Sequence, residues 1–349
     1  MVNVSDTETH TVLDRLGRPL HDLRLSVTDR CNLRCSYCMP EDHYRWLPRE
    51  QILTFEELSS VVDAFCSVGV EKVRLTGGEP LLRKGLPQLV EMLAAKPAIR
   101  DLAMTTNGIL FARHAAELRA AGLGRVTVSL DTLRRHRFEQ LSRRRSHQAV
   151  LDALASAAEA GFTGTKIDTV VLRGLNDDEL VEIIEFAKTL PAEVRFIEYM
   201  DVGGATRWDP RQVCTAAEML ANLRAHYGDL QPAEAPVSSP ARRYRLSDGT
   251  LFGIVASTTQ PFCATCDRSR LTADGMWYRC LYAPKGTDLR HLLRNGASAD
   301  RIATLIGQAW TARRDRGAVD RLTQRARGAL LSMEALREDP HLEMHTRGG

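Results

Sequence analysis

Two sets of three cysteines carry the most specific chemistry in this sequence. The first, Cys31-Asn-Leu-Arg-Cys35-Ser-Tyr-Cys38, places three soft thiolates on one short loop with C-x3-C-x2-C spacing. The second is Cys263-Ala-Thr-Cys266 followed by Cys280, with thirteen residues between the last two. Thiolates clustered in this way hold iron-sulfur clusters or zinc, and such sites ordinarily take four ligands. Neither set has a fourth cysteine close by. His291, the nearest histidine downstream of the second set, falls at the start of an expected helix. Three thiolates on an iron-sulfur cube leave one iron open to a small molecule, so each set reads as a cluster site with a binding position. Zinc at the second set is the alternative.

The residues beside each set differ. Thr76-Gly77-Gly78-Glu79-Pro80 follows an expected strand, and two glycines there allow close backbone approach to a ligand. Asp267-Arg268-Ser269-Arg270 follows the second pair of cysteines. On a strand, Arg268 and Arg270 share one face. Guanidinium forks bind phosphate oxygens in pairs and stay charged, so this face suits a polyphosphate. Cys66 and Cys214 have no metal-like neighbours and read as small hydrophobes. The basic run 134–145, with six arginines and Phe138, reads as a solvated helix face rather than a nucleic-acid patch.

The elements that must position these residues show as alternation. From Leu23 to about Met200, short β-rich runs alternate with amphipathic stretches of helical length, the pattern of βαβ units around a parallel sheet. Strands are expected at residues 23–27, 72–76, 101–105, 125–130, 166–172 and 193–200. Helices are expected at 54–67, 86–95, 112–121, 147–160 and 177–189, the first opened by a Thr54/Glu57 capping box. Six such units joined by right-handed crossovers curl into an incomplete (βα)6 barrel, whose chemistry sits in the loops after the strands. The fold class is therefore α/β, with a smaller C-terminal α+β region.

Three segments follow: an N-terminal extension at 1–22, the partial barrel at 23–230, and a C-terminal region at 231–349 that holds the second cysteine set. Residues 231–240 read as a linker, and short antiparallel strands are expected at 243–246, 250–257, 268–273 and 276–279. Helices start at Leu289 and Ala299, and the last ten residues read as a mobile tail. The chain has 349 residues, 44% hydrophobic and 26% charged with a net charge of +3, which are ordinary globular values. Apolar runs too short for a bilayer and a polar start without a secretory core predict a cytoplasmic protein with no membrane or nucleic-acid partner. That compartment keeps thiols reduced, which favours metal over disulfides.

The first triad, with Tyr37 before its last cysteine, and the Gly77-Gly78-Glu79-Pro80 turn resemble the radical S-adenosylmethionine superfamily. The resemblance implies a 4Fe-4S cluster whose open iron is chelated by the methionine amino and carboxylate groups. It places Tyr37, Gly78, Glu79, Ser129 and Met200 around that cofactor, which is cleaved to a 5′-deoxyadenosyl radical. From about Leu13 to Gly349 the chain is similar to the GTP 3′,8-cyclase family of molybdenum cofactor biosynthesis. The markers are Leu23-Arg-Leu-Ser-Val-Thr-Asp-Arg-Cys31, Arg195-Phe-Ile-Glu-Tyr-Met200 and the block from Cys263 to Arg270.

That similarity implies a second 4Fe-4S cluster that holds the guanine of GTP. Contacts to GTP would come from Arg24, Lys72, Arg74, Thr105, Lys166, Arg195, Arg268 and Arg270, with Arg268, Arg270, Gly348 and Gly349 assisting catalysis. The implied product is (8S)-3′,8-cyclo-7,8-dihydroguanosine 5′-triphosphate, formed through a C3′ radical that attacks guanine C8. Implied partners are a flavodoxin- or ferredoxin-type electron donor and the downstream cyclic pyranopterin monophosphate synthase, and the family allows a homodimer. The rival reading is another radical S-adenosylmethionine enzyme with an auxiliary cluster, acting on peptide or RNA.

Overall fold

The computed structural model describes residues 11–324 and 327–348. Its centre is a parallel sheet built from β1 (Asp22–Ser26), β2 (Lys72–Thr76), β3 (Asp101–Thr106), β4 (Arg125–Ser129), β5 (Thr165–Val171) and β6 (Ala192–Glu198). Each expected strand forms within one or two residues of its expected bounds. The crossovers carry α1 (Phe55–Cys66), α2 (Leu86–Ala94), α3 (Ala115–Ala120), α4 (Arg135–Ser142), α5 (His147–Glu159) and α6 (Leu180–Lys188), and α7 (Ala216–Tyr227) follows β6. The Thr54 hydroxyl accepts from the Glu57 amide while the Glu57 carboxylate accepts from the Thr54 amide, which satisfies two otherwise orphaned donors at the start of α1.

The C-terminal segment contributes β7 (Gln231–Ala233), β8 (Arg242–Arg245), β9 (Leu251–Val255), β10 (Arg268–Leu271), β11 (Met276–Tyr278) and β12 (Thr287–Asp288). It adds α8 (Leu289–Arg294), α9 (Ala299–Thr311), α10 (Gly317–Leu322), α11 (Met333–Glu338) and α12 (Met344–Arg347). The strand order is β12-β11-β10-β1-β2-β3-β4-β5-β6-β9-β8-β7. β9 therefore extends one edge of the barrel and β10 the other, each parallel to its barrel neighbour. The antiparallel pairing expected here exists only outside them, in β7–β8–β9 and β10–β11–β12. β7 lies inside the stretch read as a linker, where Pro232 is tolerated because the strand is at the edge.

Packing makes the two segments one core. Trp277 of β11, 1% exposed, meets Phe65 of α1 edge-on with ring centroids 5.7 Å apart. Leu289, Ile302, Ile306 and Trp310 belong to the same buried cluster as Leu23, Leu25, Val73 and Leu75. On β1, Leu23 and Leu25 are buried towards the helices, which leaves Asp22 and Arg24 on the inner face of the barrel. No helix of the described residues is long and apolar enough to cross a membrane.

The expected mobile tail is packed instead. Glu343, His345, Thr346 and Arg347 are all buried. Arg347 stacks 4.1 Å from the Tyr278 ring and donates to the carbonyls of His341 and Leu281 at 2.6 and 2.7 Å. Most arginines of the basic run are spent on carboxylates, and Arg144 donates to the Asn32 carbonyl instead. Arg134 and Arg137 pair with Asp178 and Glu179, and Arg143 pairs with Asp42.

Because one core serves both segments, Trp277→Ala should cost the whole chain about 3–5 kcal/mol, read as one shifted transition in denaturant unfolding. A second, unshifted transition would instead mark an independently folding C-terminal region.

Candidate active site

The first triad follows β1 on a loop clamped from two sides. Gly78 and Glu79 donate their amides to the carbonyls of Thr28 and Arg30 at 2.9 and 2.7 Å. From the other side, the amides of Arg34 and Ser36 bond the carbonyls of Ser142 and Leu141 at the end of α4, at 3.0 and 2.9 Å. A Cβ on Gly77 or Gly78 would overlap the carbonyl oxygen of Thr28 or Arg30. The two glycines thus serve the cysteine loop itself as well as any ligand beside it. All three thiols are half-buried, and burial raises each above its ordinary range. The Asn107 amide nitrogen lies 3.9 Å from the Cys31 sulfur and bonds Asn32 at 2.7 Å.

The β10–β11 hairpin assembles the second triad. Arg270 faces Tyr278 across the hairpin, and continuing that register brings Cys280 opposite Arg268, two residues from Cys266. Arg18 and Arg313, each 2% exposed, hold the loop by donating to the carbonyls of Cys263 and Cys266 at 2.8 and 2.9 Å. Burial raises the Cys266 thiol, but Arg268 and Arg313 more than offset this and hold it below its usual value. Cys280, which burial pushes up to about 11, lacks that help. Among the described residues no three Cys, His, Asp or Glu side chains close on one point as a single metal ion requires. Cysteine-only donor sets on tightly held loops fit iron-sulfur ligation, in which thiolates serve separate irons.

A cavity of about 330 Å³ runs from the first triad, over the ends of the strands, toward the hairpin that carries the second, whose cysteines lie outside its lining. Cys31, Cys35, Cys38, Tyr37 and Gly78 wall one end, and Phe262, Arg268 and Arg270 the other. Ser129, Met200, Thr105 and Arg195 also line it. Lys72 and Lys166 stand two residues before Arg74 and Asp168 on the same strand faces, deeper in the barrel and outside the lining. Glu79 is fully buried outside the lining. Its carboxylate accepts from the Thr106 hydroxyl and the amides of Leu81 and Asn107, and burial pushes it up to about 7.

Strand register sets the electrostatics. Arg24 on β1 pairs with Arg270 on β10 and Arg74 on β2, so three guanidiniums stand in one row on adjacent strands. Strands lie about 4.8 Å apart, and charges held at that spacing repel by roughly 3 kcal/mol at an effective dielectric of about 20. Asp101 pairs with Arg125, and Glu193 with Arg243 and Arg195, while Asp22 and Asp168, whose charge reaches Arg24 and Arg74, form no ion pair with them. Burial and neighbouring arginines lower Arg24 to about 10 and push Arg270 well down, while burial and Arg195 lower Lys166 to about 8. The Nε atoms of Arg24 and Arg268 are buried without a hydrogen-bond partner, while that of Arg195 stands 3.6 Å from the Glu193 carboxylate. Crowded positive charge of this kind is costly, and an anion in the cavity would relieve it.

The tail enters the same space. Arg270 donates to the Gly348 carbonyl, and a Cβ at Gly348 would overlap the Thr76 hydroxyl. Gly349 lies outside the described residues. Sequence reasoning missed Asp131, which accepts from the Tyr37 hydroxyl at 2.7 Å and the Val170 amide at 2.9 Å. Asp131 and Asn107 both sit just past a strand end, and the barrel rule applied to every strand would have found them. Arg18 and Arg313 carry no such signal.

The comparisons with known proteins add the family. Residues 25–187 match the model of the radical SAM superfamily, and residues 192–319 match that of Molybdenum Cofactor Synthesis C. The chain is 58% identical over 342 residues to GTP 3′,8-cyclase 1 of Mycobacterium tuberculosis H37Rv, covering 97% of this chain and 95% of that one. It belongs to the GTP 3′,8-cyclase family. Another member, from Streptomyces coelicolor, is 46% identical over 299 residues, 85% of this chain and 88% of its own. In fold the chain is similar to Streptococcus suis SuiB bound to S-adenosylmethionine, at TM-score 0.58 and 15% identity over 82% of this chain and 69% of that one. As in that family, the cofactors are S-adenosylmethionine and two 4Fe-4S clusters.

If the Gly78 contact holds the cysteine loop in shape, Gly78→Ala should lose the first cluster and keep the second. Iron and acid-labile sulfide after reconstitution should fall by about half, and a full complement of both would refute the assignment.

Proposed function

We propose that the cavity between the triads binds GTP as the substrate of radical cyclisation, with its triphosphate on the row Arg270, Arg24 and Arg74. The chain is a radical S-adenosylmethionine enzyme of molybdenum cofactor biosynthesis that forms (8S)-3′,8-cyclo-7,8-dihydroguanosine 5′-triphosphate. The observation that carries the substrate reading is that row: three guanidiniums in register, none in an ion pair with a carboxylate, lining a cavity that has a cysteine triad at its far end.

Cys31, Cys35 and Cys38 would hold the cluster that supplies a 5′-deoxyadenosyl radical from S-adenosylmethionine, and Cys263, Cys266 and Cys280 the cluster facing guanine. The chain's own residues bind, orient and shield. Tyr37, braced by Asp131, together with Gly78, Ser129 and Met200, lines the S-adenosylmethionine end. Thr105 and Thr127 fix Arg74 by accepting from it at 3.2 and 3.1 Å, so its fork is preorganised for phosphate. Lys72, Lys166 and Arg195 add positive charge from below and across the barrel. Glu79 supports this end by tying its turn to Thr106 and Asn107 after β3. Gly348 brings the tail against Arg270, where it would help shield the radical from water, and Gly349 would assist the same step.

Residues 23–230 serve as the barrel and 231–349 as the segment that carries the second cluster. A cytoplasmic setting, a flavodoxin- or ferredoxin-type electron donor and handover to cyclic pyranopterin monophosphate synthase complete the reading.

Anaerobic incubation of reconstituted protein with S-adenosylmethionine, reductant and GTP deuterated at C3′ tests it. Deuterium should pass into 5′-deoxyadenosine, which should not accumulate without GTP. Label retained in GTP, or 5′-deoxyadenosine formed equally in its absence, counts against this substrate. Cys266→Ser should keep the electron paramagnetic resonance signal of the first cluster and lose cyclisation; unchanged cyclisation would remove the second triad from the mechanism.

A further inference from the structure

One polar side chain in the cavity wall is left unused by that account. His345, on α12, is 2% exposed and lines the cavity, yet neither ring nitrogen has a hydrogen-bond partner among the described residues. The Glu343 carboxylate stands 3.8 Å from Nδ1, beyond hydrogen-bonding reach, and its own Oε2 is unpartnered. Buried donors and acceptors are rarely left unmade, and leaving them so is the costly case. The occupant of the cavity is then the natural partner.

The surroundings say which end of the cavity His345 serves. Its ring meets Tyr44 and Trp46 edge-on, at 5.2 and 5.5 Å between centroids. Both aromatics lie on the segment that leaves Cys38. Arg34, from inside the first triad, stacks 5.6 Å from each of those rings, and Arg30 lies 4.7 Å over Trp46. Burial, with Arg34 adding to it, pushes the imidazole down to about 3. A neutral ring offers one N–H donor and one bare acceptor nitrogen, whichever tautomer forms. An α-amino-acid group offers the complement of both, and the positive charge of Arg34 favours its carboxylate over an adenine.

We propose that His345 is a binding residue for the amino-acid end of S-adenosylmethionine at the first cluster. The inference rests on the reading of that triad given above. It assigns the tail a second contact: Gly348 meets Arg270 at the triphosphate end, and His345, three residues earlier, meets the cofactor at the other. By linkage, cofactor binding and tail docking then favour each other.

The test uses anaerobic equilibrium dialysis of S-adenosylmethionine against the reconstituted full chain, without GTP, together with denaturant unfolding of the ligand-free protein. H345F should weaken cofactor binding roughly tenfold, the equivalent of one good hydrogen bond. It should leave the ligand-free chain at least as stable, because phenylalanine fills the aromatic cage and removes two unpartnered nitrogens. H345Q, which keeps a donor and an acceptor, should bind within about twofold of wild type. Unchanged binding by H345F overturns the proposal. So does a loss of stability in ligand-free H345F, which would mean that the ring is already satisfied by the protein or a buried water. Wild-type protein that binds no S-adenosylmethionine fails the reading of the first triad as well, and so separates the two.

Discussion

The parallel pairing of β10 with β1 is the contact on which the site depends. It sets Arg270 beside Arg24, brings the hairpin of the second triad against the barrel edge and fixes the distance between the two cysteine sets. Without it the barrel would present one triad and two inward arginines, Arg24 and Arg74, to open solvent. With it, a row of three like charges is enclosed, and enclosure strengthens the field they present to the cavity, since the same charges in water would be screened. The repulsion within the row is borne by the hydrophobic side of the same strands, where Leu23, Leu25, Val73, Leu75 and Leu271 are buried against the helices.

Each triad is held by a different device, and the difference follows from what surrounds it. The first is pinned by backbone hydrogen bonds to a glycine turn and a helix end, with Arg34 donating to the Cys31 and Leu33 carbonyls from within the loop. The second is pinned by Arg18 and Arg313, whose guanidiniums lie against Cys263 and Cys266. Positive charge beside a thiolate favours its ionised form, and this shows in the opposite directions taken by Cys266 and Cys280. Two sets of three cysteines thus meet distinct electrostatic environments inside one fold.

Much of this was legible in the sequence because it is local. Strand alternation located β1 to β6, the Thr54/Glu57 box located the start of α1, and cysteine spacing with neighbouring glycines and arginines located the two ends of the cavity. What escaped was non-local. Nothing around Arg268 says that its strand will lie parallel to one that starts at Asp22, so the C-terminal strands read only as hairpins. The tail read as mobile because its anchors, Tyr278, Leu281 and Arg270, lie on other elements. The glycines of the 77–78 turn were legible as close-approach positions, but the main chain that approaches them, Thr28 to Arg30, is visible only in three dimensions.

The β1–β10 pairing also bears on how the molecule is made. β1 leaves the ribosome more than two hundred residues ahead of its partner β10. Through that interval β1 presents an unpaired edge, apolar on one face, the kind of template on which nascent chains stick to one another. Its brevity, five residues, and the charges Asp22 and Arg24 on its other face limit how well a stray strand can add to it. The same arginine that faces the cavity in the finished protein thus guards the edge while the chain is still being synthesised.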